Sequence, residues 1–190
     1  YHLKKNNPQA KFLMYQWDST LSNPNIIKIA HLFDKVFSFD YLDCEKHSNF
    51  IYLPLFYINQ FGNDSFSREE VIYDLVFLGS YHSDRIELLE KTKAGLNVNF
   101  NFKIMLSTSL IKYFKIKYIK KELLHLKKED FIFKHLSYHD YLSLILQTDA
   151  VLDFEHPAQS GLTIRTFEIL AMNKKLITTN SNIKNEAFYD

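Results

Sequence analysis

The run from Val151 to Asn180, VLDFEHPAQSGLTIRTFEILAMNKKLITTN, constrains the fold of this chain more than any other stretch. It reads as a buried strand, a loop holding Ser160-Gly161, a helix carrying Arg165 and Glu168, and a second apolar strand. Strand, helix and strand in that order belong to a parallel α/β sheet. A glycine turn feeding a helix start is also a ready anion site. Unpaired backbone N–H groups and the positive end of the helix dipole converge there.

The same alternation extends through the rest of the chain. Strands are expected at 11–17 (KFLMYQW), 35–39 (KVFSF) and 50–56 (FIYLPLF), with helices at 24–33 and 41–47. Pro54 places the end of the third strand at a sheet edge or a switch point. The polar stretch 59–70, with Gly62 and no apolar period, reads as a linker, bounded here as 61–70. A second series then begins: strands at 71–78, 101–106, 131–134, 150–154 and 175–179, and helices at 83–93, 110–128, 139–147 and 163–172. Ser83 or Asp84 would cap the first of these helices and Gly95 would close it. The fold class is therefore α/β, with two Rossmann-like parallel-sheet domains. The first occupies about 1–60 and reads as the C-terminal part of a larger domain. The second, 71–190, looks truncated at its end, since IKNEAFYD follows the last strand without a closing helix.

Bulk properties exclude several function classes. With 23 basic and 22 acidic side chains and a net charge of +1, no global field draws in nucleic acid. The single cysteine, Cys44, excludes an internal disulfide and a thiolate zinc site, so a cytoplasmic location is the expectation. No apolar run approaches the ~20 residues of a membrane span. No Asp-x-Asp pair offers a seat for Mg²⁺ or Mn²⁺, and neither metal nor cofactor is expected. The lysine-rich segment 110–128 reads as a sheet-covering helix with a solvated lysine face, or as one lying on an anionic membrane surface.

Glycine is scarce, with four in the chain, and both Gly79 and Gly161 fall where a strand hands over to a helix. Ligands of open α/β sheets bind at that edge. Ser160, Gly161, Leu162 and Thr163 can cradle a diphosphate through backbone N–H groups. Arg165 lies in the first helical turn, where the dipole disfavours a cation, so it calls for a phosphate or a carboxylate such as Asp153 or Glu155. Glu168 sits in a nearly all-apolar helix and must be exposed at its edge or hydrogen-bonded, for example by ribose hydroxyls. Gly79-Ser80-Tyr81-His82, followed by Arg85, forms a second loop of the same kind, and His156 stands in the first loop near a sugar position. Together these features suit a nucleotide-sugar.

The segment QSGLTIRTFEILAMNKKLITTN resembles the donor-site signature of bacterial GT-B glycosyltransferases of capsule, exopolysaccharide and lipopolysaccharide-core synthesis. FLMYQWDS, FDKVFSFDYLD and FIYLPLFY resemble the second half of the N-terminal domain of such proteins. The resemblance implies a metal-independent transferase acting from a nucleotide-sugar, its substrate rather than a cofactor, onto a glycan or glycolipid acceptor. Peripheral contact with the inner face of the cell membrane fits that role. Glu168 matches the family's ribose-binding glutamate. Where many retaining members carry a second glutamate, eight positions earlier, this chain has Ser160. Gln159, Ser160 and His156 would face the donor sugar, and Gly161, Leu162, Thr163 and Arg165 the diphosphate, with Gly79 and Ser80 opposite. No catalytic base is assigned. A non-catalytic nucleotide-sugar-binding or scaffold protein of a polysaccharide assembly complex is the alternative.

Overall fold

The structure is a computed structural model, and it describes residues 2–58, 70–82, 84–121 and 123–189. It divides into two compact units: Tyr1–Phe56 with Glu155–Ile164 and Asn180–Asp190, and Tyr57–Phe154 with Arg165–Thr179. Each contains one parallel sheet, so the chain is α/β with Rossmann-like sheets, one of three strands and one of five. The linker expected at 61–70 lies outside the described residues save for Glu70.

The smaller sheet follows the chain order: α1 (His2–Asn6), β1 (Leu13–Gln16), α2 (Asn25–Ala30), β2 (Lys35–Ser38), α3 (Tyr41–Lys46) and β3 (Phe50–Tyr52). Its strands lie parallel in the order β1-β2-β3. Met14, Val36 and Phe50 point to one face and pack with Ile26 and Ala30 of α2. β1 covers four of its seven expected residues and β3 three of seven; β3 ends at Tyr52, two residues before Pro54, whose missing N–H cannot continue a ladder. Asp40 caps α3 by accepting from the Asp43 N–H. The stacked rings of Tyr41 and Tyr52, 4.4 Å apart, both donate through their hydroxyls to Glu186, which ties the segment Asn180–Asp190 to this sheet.

The larger unit comprises β4 (Tyr73–Ser80), α4 (Arg85–Gly95), β5 (Phe102–Ser107), α5 (Leu110–Phe114), β6 (Phe131–Ile132), α6 (Tyr138–Leu146), β7 (Thr148–Asp153), most of α7 (Ile164–Ala171) and β8 (Lys175–Thr178). All neighbours are parallel, in the order β6-β5-β4-β7-β8. The central β4 buries Leu75, Val76 and Phe77 in succession, as expected of a strand covered on both faces. From β4 the chain builds β5 and β6 on one side and β7 and β8 on the other. The strand order therefore reverses between β4 and β7, and the crevice outside their C-terminal ends is where such sheets take ligands.

Two expectations need correction. The helix expected over 110–128 is much shorter. After α5 the chain makes a π-helical run, Lys115–Lys120, and stops at Lys121 in the left-handed conformation with φ 55°. The reason is Glu90 on α4. Its buried carboxylate accepts from the N–H groups of Leu124, His125 and Leu126 at 3.0, 2.6 and 3.0 Å, which draws the following chain out of the helical path. Gly95 is the last residue of α4 rather than the residue past its end, and Leu96 leaves in an extended conformation. Of the two cap candidates, Ser83 lies outside the described residues, and Asp84 occupies the cap position without a side-chain bond.

Candidate functional site

The crevice side of the larger unit holds a pocket of about 430 Å³ lined by Gly79, Ser80, Arg85, Ser107, His135 and Arg165, among others. Ser80 and Ser107 are register partners at the ends of β4 and β5. Arg85 and Arg165 come from the first turns of α4 and α7. Both helices start at the sheet's C-terminal edge, so two guanidinium groups stand at two positive helix ends. The dipole makes each placement unfavourable by ~0.3–1 kcal/mol.

Arg85 is only 8% exposed. Its terminal nitrogens donate to the Ser80 carbonyl at 3.0 Å and, more weakly, to that of Phe154 at 3.4 Å, and the guanidinium lies 5.7 Å above the Phe77 ring centre. Gly79 makes this possible. A Cβ there would sit 2.7 Å from an Arg85 terminal nitrogen and 2.9 Å from the Phe77 ring. The glycine at the end of β4 thus leaves room for the arginine folded across it, which a side chain there would displace. Burial, then repulsion from Arg165, pushes the Arg85 guanidinium down to about 10, still a cation at neutral pH. Arg165 pairs with buried Asp153 at 3.6 Å, one of the carboxylates that the sequence offered beside a phosphate as its partner. Yet the Nε atoms of both arginines are buried without a hydrogen-bond partner among the described residues. Two cations bordering one pocket, each with an Nε unmet by protein acceptors among the described residues, offer the donor chemistry that a polyanion would need.

Glu168 stands one turn beyond Arg165 on α7. It is half-buried and accepts from the Tyr141 hydroxyl at 2.7 Å. Burial raises its carboxyl above the usual range, and the Tyr141 bond and the Arg165 charge partly oppose that rise. Burial also raises the Tyr141 hydroxyl, with the Glu168 charge next. Arg165 also donates to the Tyr141 hydroxyl, so Asp153 of β7, Arg165, Tyr141 of α6 and Glu168 form a linked row beside the start of α7.

The loop expected to cradle a diphosphate is occupied differently. The Ser160 N–H and hydroxyl donate to the Asp40 carboxylate at 2.6 and 2.7 Å, and the Gly161 N–H approaches it at 3.4 Å. These amides do seat an anion, and it is an internal one. Gly161 owes its identity to the same packing, because a Cβ would fall 2.2 Å from the Phe39 carbonyl oxygen. Asn180 closes the loop from its carbonyl side, donating to the Ser160 and Gly161 oxygens at 3.2 and 3.1 Å. Leu162 is buried. His156 accepts from the Ala158 N–H through Nδ1, and the Gln159 N–H donates back to the His156 carbonyl, so both belong to a local turn. By their contacts His156, Gln159, Ser160, Gly161, Leu162 and Thr163 belong to the smaller unit, whereas Gly79, Ser80, Arg165 and Glu168 belong to the larger one.

Residue-by-residue reading of the sequence missed Asp40 and Tyr141. Asp40 carried a usable signal: it follows a strand and precedes a helix in FSFDYLD, at the edge where loops meet ligands. Tyr141 carried none, since nothing local shows which helix packs beside α7. No group of three or more His, Cys, Asp or Glu side chains is gathered as for a metal ion among the described residues. A scan against models of known protein families finds no match, and a search of curated proteins finds no relative.

Proposed function

We propose that this chain acts as a glycosyltransferase of the GT-B type that takes a nucleotide-sugar as donor and a surface-polysaccharide or lipopolysaccharide glycan as acceptor. The observation that carries the reading is the convergence of Arg85 and Arg165 on one pocket over the C-terminal ends of β4, β5 and β6. The pocket's size suits a pyrophosphate with part of its attached groups. In this reading the arginine pair holds the pyrophosphate and neutralises the charge that grows on it as the glycosidic bond to the sugar breaks. Glu168, already oriented by Tyr141, accepts the ribose hydroxyls. Ser80 and Ser107 supply further donors at the strand ends. With the Ser160–Gly161 amides engaged by Asp40, the diphosphate role passes from that loop to the arginines.

One observation favours a second reading, nucleotide-sugar binding without transfer. The serine at the family's second glutamate position is buried and bonded to both Asp40 and the Leu42 N–H, so it is committed to structure. A thermal-shift series with UDP-, GDP-, CMP- and dTDP-sugars distinguishes the possibilities, because a ligand that binds the native state raises Tm according to its affinity. A shift with one nucleotide, accompanied by release of the nucleoside diphosphate in the presence of acceptor glycan, supports the transferase. A shift without turnover supports the binding protein. No shift with any nucleotide-sugar rejects both.

A further inference from the structure

The segment from Leu110 to Lys121 presents an outer surface that the donor site does not use. Tyr113 and Ile116 point inward and are 3% and 1% exposed. The opposite side carries exposed lysines, as both sequence readings of this segment expected, together with large apolar groups. Ile111 is 83% exposed, Ile119 73% and Tyr118 61%, with Leu110 and Phe114 also exposed. Phe114 and Tyr118 stack with ring centres 6.0 Å apart, so part of this patch is continuous. Lys112, Lys115, Lys117, Lys120 and Lys121 are exposed along the same segment, and the Lys117 ammonium lies 5.3 Å from the Tyr118 ring centre.

We propose that this segment docks flat on an anionic phospholipid surface. Charge supports that occupant. Residues 110–128 contain seven lysines and one glutamate, in a chain whose net charge is only +1, so the rest of the molecule is acidic and the positive field is concentrated here. Exposed isoleucines and an aromatic ring at the tip of a lysine-bearing turn match the two parts of a membrane interface. The apolar groups enter the acyl boundary, while the lysine stems lie along it and their ammonium groups reach the phosphates. Nucleic acid would use the lysines but has no use for Ile111 and Ile119. No helix among the described residues is long and apolar enough to cross a membrane, so the contact is peripheral. Each lysine close to an anionic surface contributes roughly a fivefold gain in partitioning. The proposal is independent of what the pocket binds.

The test is co-sedimentation of the full chain with phosphatidylcholine vesicles, with and without roughly a third phosphatidylglycerol, at low and high salt. The expected result is binding to the anionic vesicles, at least tenfold weaker binding to neutral ones, and weakening as salt rises. Replacing Ile111, Tyr118 and Ile119 together by serine, at unchanged circular dichroism and Tm, should lower partitioning at least tenfold. Replacing Lys112, Lys115 and Lys117 by glutamine should lower binding to the anionic vesicles at least tenfold while leaving binding to neutral ones little changed. If the triple serine variant does not fold, Ile111→Ser and Ile119→Ser alone should each lower binding about threefold. Undiminished binding of the folded serine variants, or displacement from vesicles by a single-stranded oligonucleotide, would overturn the proposal.

Discussion

Replacing Asp40 by alanine should loosen the loop 155–164 and destabilise the smaller unit by about 3–5 kcal/mol. The side chain is 1% exposed and accepts from the Ser160 N–H at 2.6 Å, the Ser160 hydroxyl at 2.7 Å and the Asp43 N–H at 3.2 Å. A hydrogen bond to a charged group is worth ~1.5–3 kcal/mol, and a buried donor left unmet costs ~1–3 kcal/mol. The three bonds share one carboxylate, so their losses are not additive, and the total of ~3–5 kcal/mol lies below their simple sum. Against a total stability of ~5–15 kcal/mol that is a large fraction. Urea titration of the full chain measures it, and amide hydrogen exchange localises it. The Ser160 and Gly161 amides should exchange far faster in the variant. Asp40→Asn, which keeps an acceptor oxygen but loses the charge, should cost about 1–2 kcal/mol. A loss under 1 kcal/mol for the alanine variant, with unchanged exchange at Ser160, would refute the argument that a carboxylate holds this loop.

Gly79→Ala should displace the Arg85 guanidinium, which lies 2.7 Å from where the Cβ would go; overpacking of ~1–3 kcal/mol is expected in thermal melts, together with loss of any nucleotide-induced shift. Glu90→Ala should free three backbone N–H groups at 124–126 and expose 121–127 to limited proteolysis, with cleavage there at wild-type rates counting against the anchor. Glu168 has a raised carboxyl, so its folded form favours the proton. Stability from this group is full below the unfolded value near 4.5 and falls as pH rises through the folded one. Glu168→Gln should therefore leave stability unchanged at low pH and raise it near pH 7, while nucleoside diphosphate affinity drops roughly tenfold or more; a variant less stable than wild type at pH 7 would contradict the cause assigned to the shift.

What the sequence showed and what it withheld divide along a physical line. Apolar runs bounded by turn residues marked each of the strands found among the described residues, because burial on a sheet demands local hydrophobicity. The demand that Arg165 and Glu168 find partners was also legible, since a cation at a helix start and a carboxylate among apolar neighbours are costly wherever they occur. The identity of the partners was not. Asp40 precedes Ser160 by 120 positions and Tyr141 precedes Glu168 by 27, and only packing brings them together. Gly161 shows the difference most clearly. Its need for a missing side chain is real, but the Phe39 backbone imposes it. The overlong helix at 110–128 failed for a related reason: its periodicity continues past Lys121, and Glu90, distant in sequence, ends it.

The central claim is that Arg85 and Arg165 together grip a pyrophosphate. Isothermal titration of the full chain with UDP, GDP, CDP and dTDP, repeated on Arg85→Gln and Arg165→Gln, tests it most directly. One nucleoside diphosphate should bind the wild type, with affinity falling as salt rises, and each substitution should weaken it roughly ten- to a hundredfold at ~1.5–3 kcal/mol per charged contact. Binding of equal strength to folded variants lacking either arginine would contradict the account.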